Sequence, residues 1–109
     1  MEFLQEFLLT YSIKRGGIMF LSKENALRFV EECKRMKIEI LGIDGFFLTD
    51  TTTQPSMENS VDFSSFYYSS KTNNLYKDAA NFIGERDSDI YFEIVTGDDD
   101  IKLGNSATE

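Results

Sequence analysis

Ile38-Glu39-Ile40-Leu41-Gly42-Ile43-Asp44-Gly45-Phe46-Phe47-Leu48-Thr49 is the stretch on which the fold turns. Its first six residues are β-branched or apolar almost throughout, the composition of a central strand covered on at least one face. Asp44-Gly45 then admits two readings. An Asp-Gly pair between apolar runs is a tight-hairpin signal, while a glycine inside one long strand marks a close backbone approach. The local sequence leaves both open.

Outward from this strand, Ser22 is placed to cap a helix over about residues 23–36, with Ala26, Phe29, Val30, Cys33 and Met36 along its buried stripe. Lys34, Arg35 and Lys37 suit its C-terminal end through the helix dipole. Ile18-Met19-Phe20-Leu21 is a short strand candidate, preceded by a break at Lys14-Arg15-Gly16-Gly17. Further on, Asn73 or Asn74 can cap a second helix over about residues 75–86, with Leu75, Tyr76, Ala79, Phe82 and Ile83 on one face. Ile90-Tyr91-Phe92-Glu93-Ile94-Val95 is the last strong strand. Residues 50–60 are polar, contain Gln54-Pro55, and read as a surface loop. The expected fold is α+β: a mixed β-sheet with two main helices packed on one face.

Residues 19–97 are expected to form a single α+β domain and residues 98–109 a polar acidic tail. Residues 1–18 form a short helical extension, because Phe3, Leu4, Phe7, Leu8 and Tyr11 recur at helical spacing over residues 2–13. Lys14-Arg15-Gly16-Gly17-Ile18 can be encoded by a purine-rich run resembling a bacterial ribosome-binding site. Met19 is therefore a candidate native start, and the extension is expected to dock on a surface instead of completing the core.

Bulk properties bound the function. The 109 residues suffice for one core without disulfides or metal, and ten Phe and five Tyr supply its buried area. Cys33 is the lone cysteine and there is no histidine, so internal disulfides, ordinary zinc sites and the usual nucleophile–base pairs are missing. Cys33 itself reads as core, and no cofactor is expected. The N-terminus carries acids where a secretory signal needs basic residues, and no apolar run approaches the roughly 20 residues that span a bilayer. The expected compartment is the cytoplasm.

The net charge of −8 is uneven: residues 44–109 hold four basic and thirteen acidic side chains, a net of −9. Such a field repels nucleic-acid phosphates and membrane anions and speeds encounter with a positively charged protein. The expected partner is thus a protein, not nucleic acid or membrane. Asp50, Glu58, Asp62, Tyr67 and Tyr68 are the candidate partner-binding residues, because acids and tyrosines gather there without an obvious core period. An enzymatic alternative places Asp44, Asp62 and Glu93 together as catalytic carboxylates, which requires the chain to fold them onto one face. Asp98-Asp99-Asp100 matches a calcium loop only in charge, and Gly16-Gly17 lacks the Gly-Lys-Ser/Thr of a phosphate loop.

The segments Ala26-Leu27-x-Phe29-Val30, Ile38 to Phe46, Gln54-Pro55-Ser56-Met57-Glu58, Val61-Asp62-Phe63-Ser64 and Ile90-Tyr91-Phe92-Glu93-Ile94 resemble small immunity proteins of bacterial polymorphic toxin systems. The resemblance covers some two-thirds of the chain, and Leu41-Gly42-x-Asp44 is its most distinctive piece. It implies a non-enzymatic cytosolic antidote that binds a cognate toxin, often a nuclease, with a basic toxin domain as partner. A housekeeping adaptor with a non-toxin partner has the same physics.

Overall fold

The computed structural model describes residues 2–63 and 73–97. Their order along the chain is α1 (Glu2–Tyr11), β1 (Ile13–Arg15), β2 (Ile18–Phe20), α2 (Lys23–Met36), β3 (Ile40–Leu48), β4 (Thr53–Asp62), α3 (Asn73–Gly84) and β5 (Tyr91–Thr96). The fold is α+β, with a three-stranded sheet ordered β4-β3-β5 and a separate two-stranded hairpin, β1-β2.

Asp44-Gly45 makes no turn: β3 runs straight through it and is paired on both sides. The alternative with a close-approach glycine holds. A Cβ on Gly45 would stand 2.3 Å from the Asn59 carbonyl oxygen, so only glycine lets β4 come this near.

Two expectations about the sheet need correction. Every described strand pairing is antiparallel, so the sheet is not mixed. The reason is connectivity: a tight turn at residues 49–52 sends β4 back along β3, and after α3 the chain lays β5 antiparallel on the other side. The expected loop at residues 50–60 is mostly strand β4. It is a sheet edge, exposed along most of its length, so it carries no apolar alternation to betray it, and an edge tolerates Pro55.

The core lies on one face of this sheet. Ile40 and Ile43 from β3 and Phe92 from β5 meet Ala26, Phe29, Val30 and Cys33 of α2 and Leu75, Tyr76, Ala79 and Ile83 of α3. Both helices thus cover the same face, and they pack against each other. The Ser22 cap is formed, its hydroxyl accepting from the Asn25 N–H at 3.3 Å, and Lys37 closes α2 in the left-handed conformation at φ 60°. The Tyr76 hydroxyl donates to the Ile38 carbonyl at 2.8 Å, tying α3 to the entry of β3. That phenol, desolvated and set near Cys33 and Glu39, is pushed up to about 12, so it keeps its proton.

Residues 13–20 form a hairpin, where local sequence shows only a break and a short strand. Gly16 and Gly17 have φ of 56° and 84°, the two positive values that a tight primed turn demands. Leu21, just beyond it, exchanges two backbone hydrogen bonds with Phe92 at 2.7 and 2.8 Å. Arg15 donates through Nη1 to the Thr52 carbonyl at 2.9 Å, beside the start of β4. The hairpin therefore crosses the face of the sheet opposite the helices.

Helix α1 completes the core instead of lying on its surface. Leu4 and Phe7 are buried within the same cluster as Phe29, and the Phe7 and Phe29 rings meet at 5.8 Å between centroids. Arg28 stacks over Phe7 and Tyr11 at 5.3 and 4.7 Å. Burial in a continuous core outweighs the short length that would leave an isolated helix marginal.

A chain beginning at Met19 will therefore melt well below the full chain. Phe7→Ala alone should lose about 3–5 kcal/mol in urea unfolding. Equal melting temperatures for the full and shortened chains would contradict this packing.

Candidate functional site

The face of the sheet turned away from α2 and α3 is where chemistry can reach solvent. Side chains alternate along β5, so Phe92 and Ile94 face the core while Tyr91, Glu93 and Val95 point to the other side. Part of this open face is covered by the hairpin, where Phe20 meets Phe46 edge-on at 4.8 Å and an interplanar angle of 77°. The remainder is acidic.

Asp44 and Glu93 are direct cross-strand partners in the middle of β3 and β5. Two like charges opposite each other destabilise a sheet, and both side chains are only half-exposed. Burial, and secondarily the Asp44 carboxylate, hold the Glu93 carboxyl above the usual range. One row further, Asp62 on β4 and Val95 on β5 both pair with Gly42. Leu41, Gly42, Asp44, Val61, Asp62 and Val95 line a hollow of ≈ 380 Å³. A Cβ on Gly42 would press on the Val61 carbonyl at 3.1 Å, so glycine permits this close strand approach.

Beside Asp44 the edge strand departs from regular pairing. Ile43 pairs with Val61 and Gly45 with Ser56, leaving residues 57–60 opposite the single residue Asp44. This wide bulge has its own hydrogen bonds, from the Gly45 N–H to Ser60 Oγ at 3.0 Å and from Ser60 Oγ to the Ser56 carbonyl at 2.7 Å.

Of the candidate partner-binding residues, Asp62 lies in the hollow and Glu58 is exposed on the bulge. Asp50 is exposed in the turn before β4, at the other end of that strand from Asp62, so the three acids do not converge. Tyr67 and Tyr68 lie outside the described residues, as does the expected tail at residues 98–109. The three carboxylates of the enzymatic alternative do share one face. Yet among the described residues no group of three or more Asp, Glu, His or Cys is placed to hold a metal ion. Cys33 is fully buried and its thiol, through desolvation and then Glu32, is pushed up to about 12, as inert as its core position implies. No helix among the described residues is long and apolar enough to cross a membrane.

What the sequence does not place directly is the cross-strand pairing of Asp44 with Glu93. The signal for the pair was present: each acid interrupts an apolar strand run at a position of the same two-residue period. Comparison with protein-family models and with curated proteins finds no match for this chain. The immunity-protein resemblance accordingly rests on the quoted segments alone.

Because Glu93 binds its proton more tightly folded than unfolded, the folded state loses stability as pH rises from the unfolded carboxylate pKa through the raised folded one. Glu93→Gln should thus stabilise the protein at neutral pH by a few tenths of a kcal/mol, the order found for like-charged cross-strand pairs. The gain should vanish below the carboxylate range. Urea unfolding of both proteins at neutral and acidic pH checks this, and a destabilised variant at neutral pH would contradict it.

Proposed function

We propose that this chain is a cytoplasmic, non-enzymatic immunity-type protein that binds and neutralises a toxin domain with a basic surface, through the open acidic face of its sheet. The observation that carries the reading is the Asp44–Glu93 pair, two carboxylates kept opposite each other in a half-buried setting where each weakens the fold. A cationic side chain from a partner removes that penalty on docking and gains charge-assisted hydrogen bonds. Asp62 and the exposed Glu58 extend the negative surface, and the half-exposed Val95 gives it an apolar centre. A nuclease, basic where it holds phosphate, has the complementary surface. The resemblance to immunity proteins points the same way.

The carboxylate-enzyme reading keeps one supporting observation, the shared face of Asp44, Asp62 and Glu93. It lacks the usual histidine- or cysteine-based nucleophile–base pair, since the chain has no histidine and its cysteine is core.

The test uses the product of the gene adjacent to this one. Cells producing that protein should regain growth when this chain is made with it, and the purified pair should associate quickly at low salt. The rate should fall steeply as salt rises, because exposed charges are screened over about 10 Å at 0.1 M. The triple variant Asp44→Asn, Asp62→Asn, Glu93→Gln should associate slowly at every salt concentration. A salt-independent association rate would sink the acidic interface. Turnover of phosphoesters or peptides that the triple variant loses would establish the enzyme instead.

A further inference from the structure

Asp44 and Glu93 face each other without a counter-charge. Direct cross-strand partners stand about 4.5–5.5 Å apart between Cβ atoms, close enough for one carboxylate to raise its neighbour's affinity for a proton. Neither enters an ion pair or a side-chain hydrogen bond within the described residues. The ion pairs present there, Arg35–Glu32 and Arg86–Glu85, lie on α2 and just past α3. The elements around the pair supply no cation either. On β5, Glu93 lies between Tyr91 and Val95 on the same face, and β4 contributes Asp62 one row away and Glu58 on the bulge. The hairpin that crosses this face carries two cations, both engaged elsewhere. Lys14 Nζ donates to the Leu9 carbonyl at 3.0 Å, and Arg15 Nη1 to the Thr52 carbonyl at 2.9 Å and Thr53 Oγ1 at 3.2 Å.

A half-buried carboxylate in this setting is relieved in one of two ways, by taking up a proton or by acquiring a cation, and the two compete for the same oxygens. We propose that docking on the open face is proton-linked: a cationic group of the partner and a proton displace one another at Glu93, so the partner is held while Glu93 is ionised and released as Glu93 is protonated. The inference rests on the function proposed above and adds its dependence on pH. Burial first, and then the Asp44 carboxylate, raise the proton affinity of Glu93, which moves the changeover above the ordinary carboxylate range. The sign follows from linkage. A docked cation favours the charged form and lowers the proton affinity of Glu93, so binding is at full strength above the free-chain midpoint and weakens as pH falls through it.

Two measurements test this. In the free chain the Glu93 side-chain carboxyl, followed by NMR, should titrate above the usual glutamate value of about 4.3. Asp44→Asn should lower that midpoint without restoring the usual value, because burial remains. With the adjacent-gene product as probe, affinity measured by calorimetry should fall by up to about tenfold per pH unit as pH drops through the Glu93 midpoint, the slope of one proton. Glu93→Gln should flatten that slope above the ordinary carboxylate range, and Asp44→Asn should move it to lower pH. A Glu93 carboxyl that titrates at the usual value, or that Asp44→Asn leaves unmoved, would overturn the inference while the proposed function stands. So would wild-type and Glu93→Gln chains whose affinities depend on pH alike. No binding by the wild type at any pH would overturn both.

Discussion

The absence of a side chain at Gly45 is the constraint on which the arrangement depends. Because the Asn59 carbonyl takes the place of a Cβ, β3 continues unbroken past Asp44 and can pair with β4 and β5 at once. Were the chain to reverse here, the sheet would lose its central strand, and Ile40 and Ile43 would no longer sit beneath both helices. The same contact supports the bulge, since the Gly45 N–H is held by Ser60. Core, register and bulge thus meet at one residue.

The two faces of the sheet then take different roles. One is sealed by α1, α2 and α3 into a continuous cluster with no buried side-chain polar atom left unpartnered among the described residues. The other is only half closed, by Phe20 against Phe46. What stays open is acidic where a purely structural face would alternate neutral polar and β-branched residues. Asp44 opposite Glu93 costs the fold stability, and under the proposed function a cationic partner surface would relieve that cost.

Much of this was legible in the sequence where the signal is local and periodic. Helix α2 with its Ser22 cap, the last strand and the central strand all follow from spacing and capping chemistry. Strand β4 did not show, because an exposed edge needs no buried period and Pro55 argued for a loop. Asp44-Gly45 was undecidable for a different reason: the contact that settles it comes from Asn59, fourteen residues away, which no local pattern contains. The core role of Leu4 and Phe7 depends likewise on a distant partner, Phe29. At the site, Asp62 and Glu58 are exposed acids, while the pairing of Asp44 with Glu93 depends on strand register, which local sequence does not carry.

Urea unfolding of Gly45→Ala tests the central constraint most directly. One methyl group here must displace backbone and not a flexible side chain end, so the variant should lose about 1–3 kcal/mol or more. Its β3–β4 amides should lose exchange protection while those of α2 keep theirs. A Gly45→Ala protein that unfolds at the wild-type urea concentration with the same protected amides would show that Asp44-Gly45 is not held in a continuous central strand.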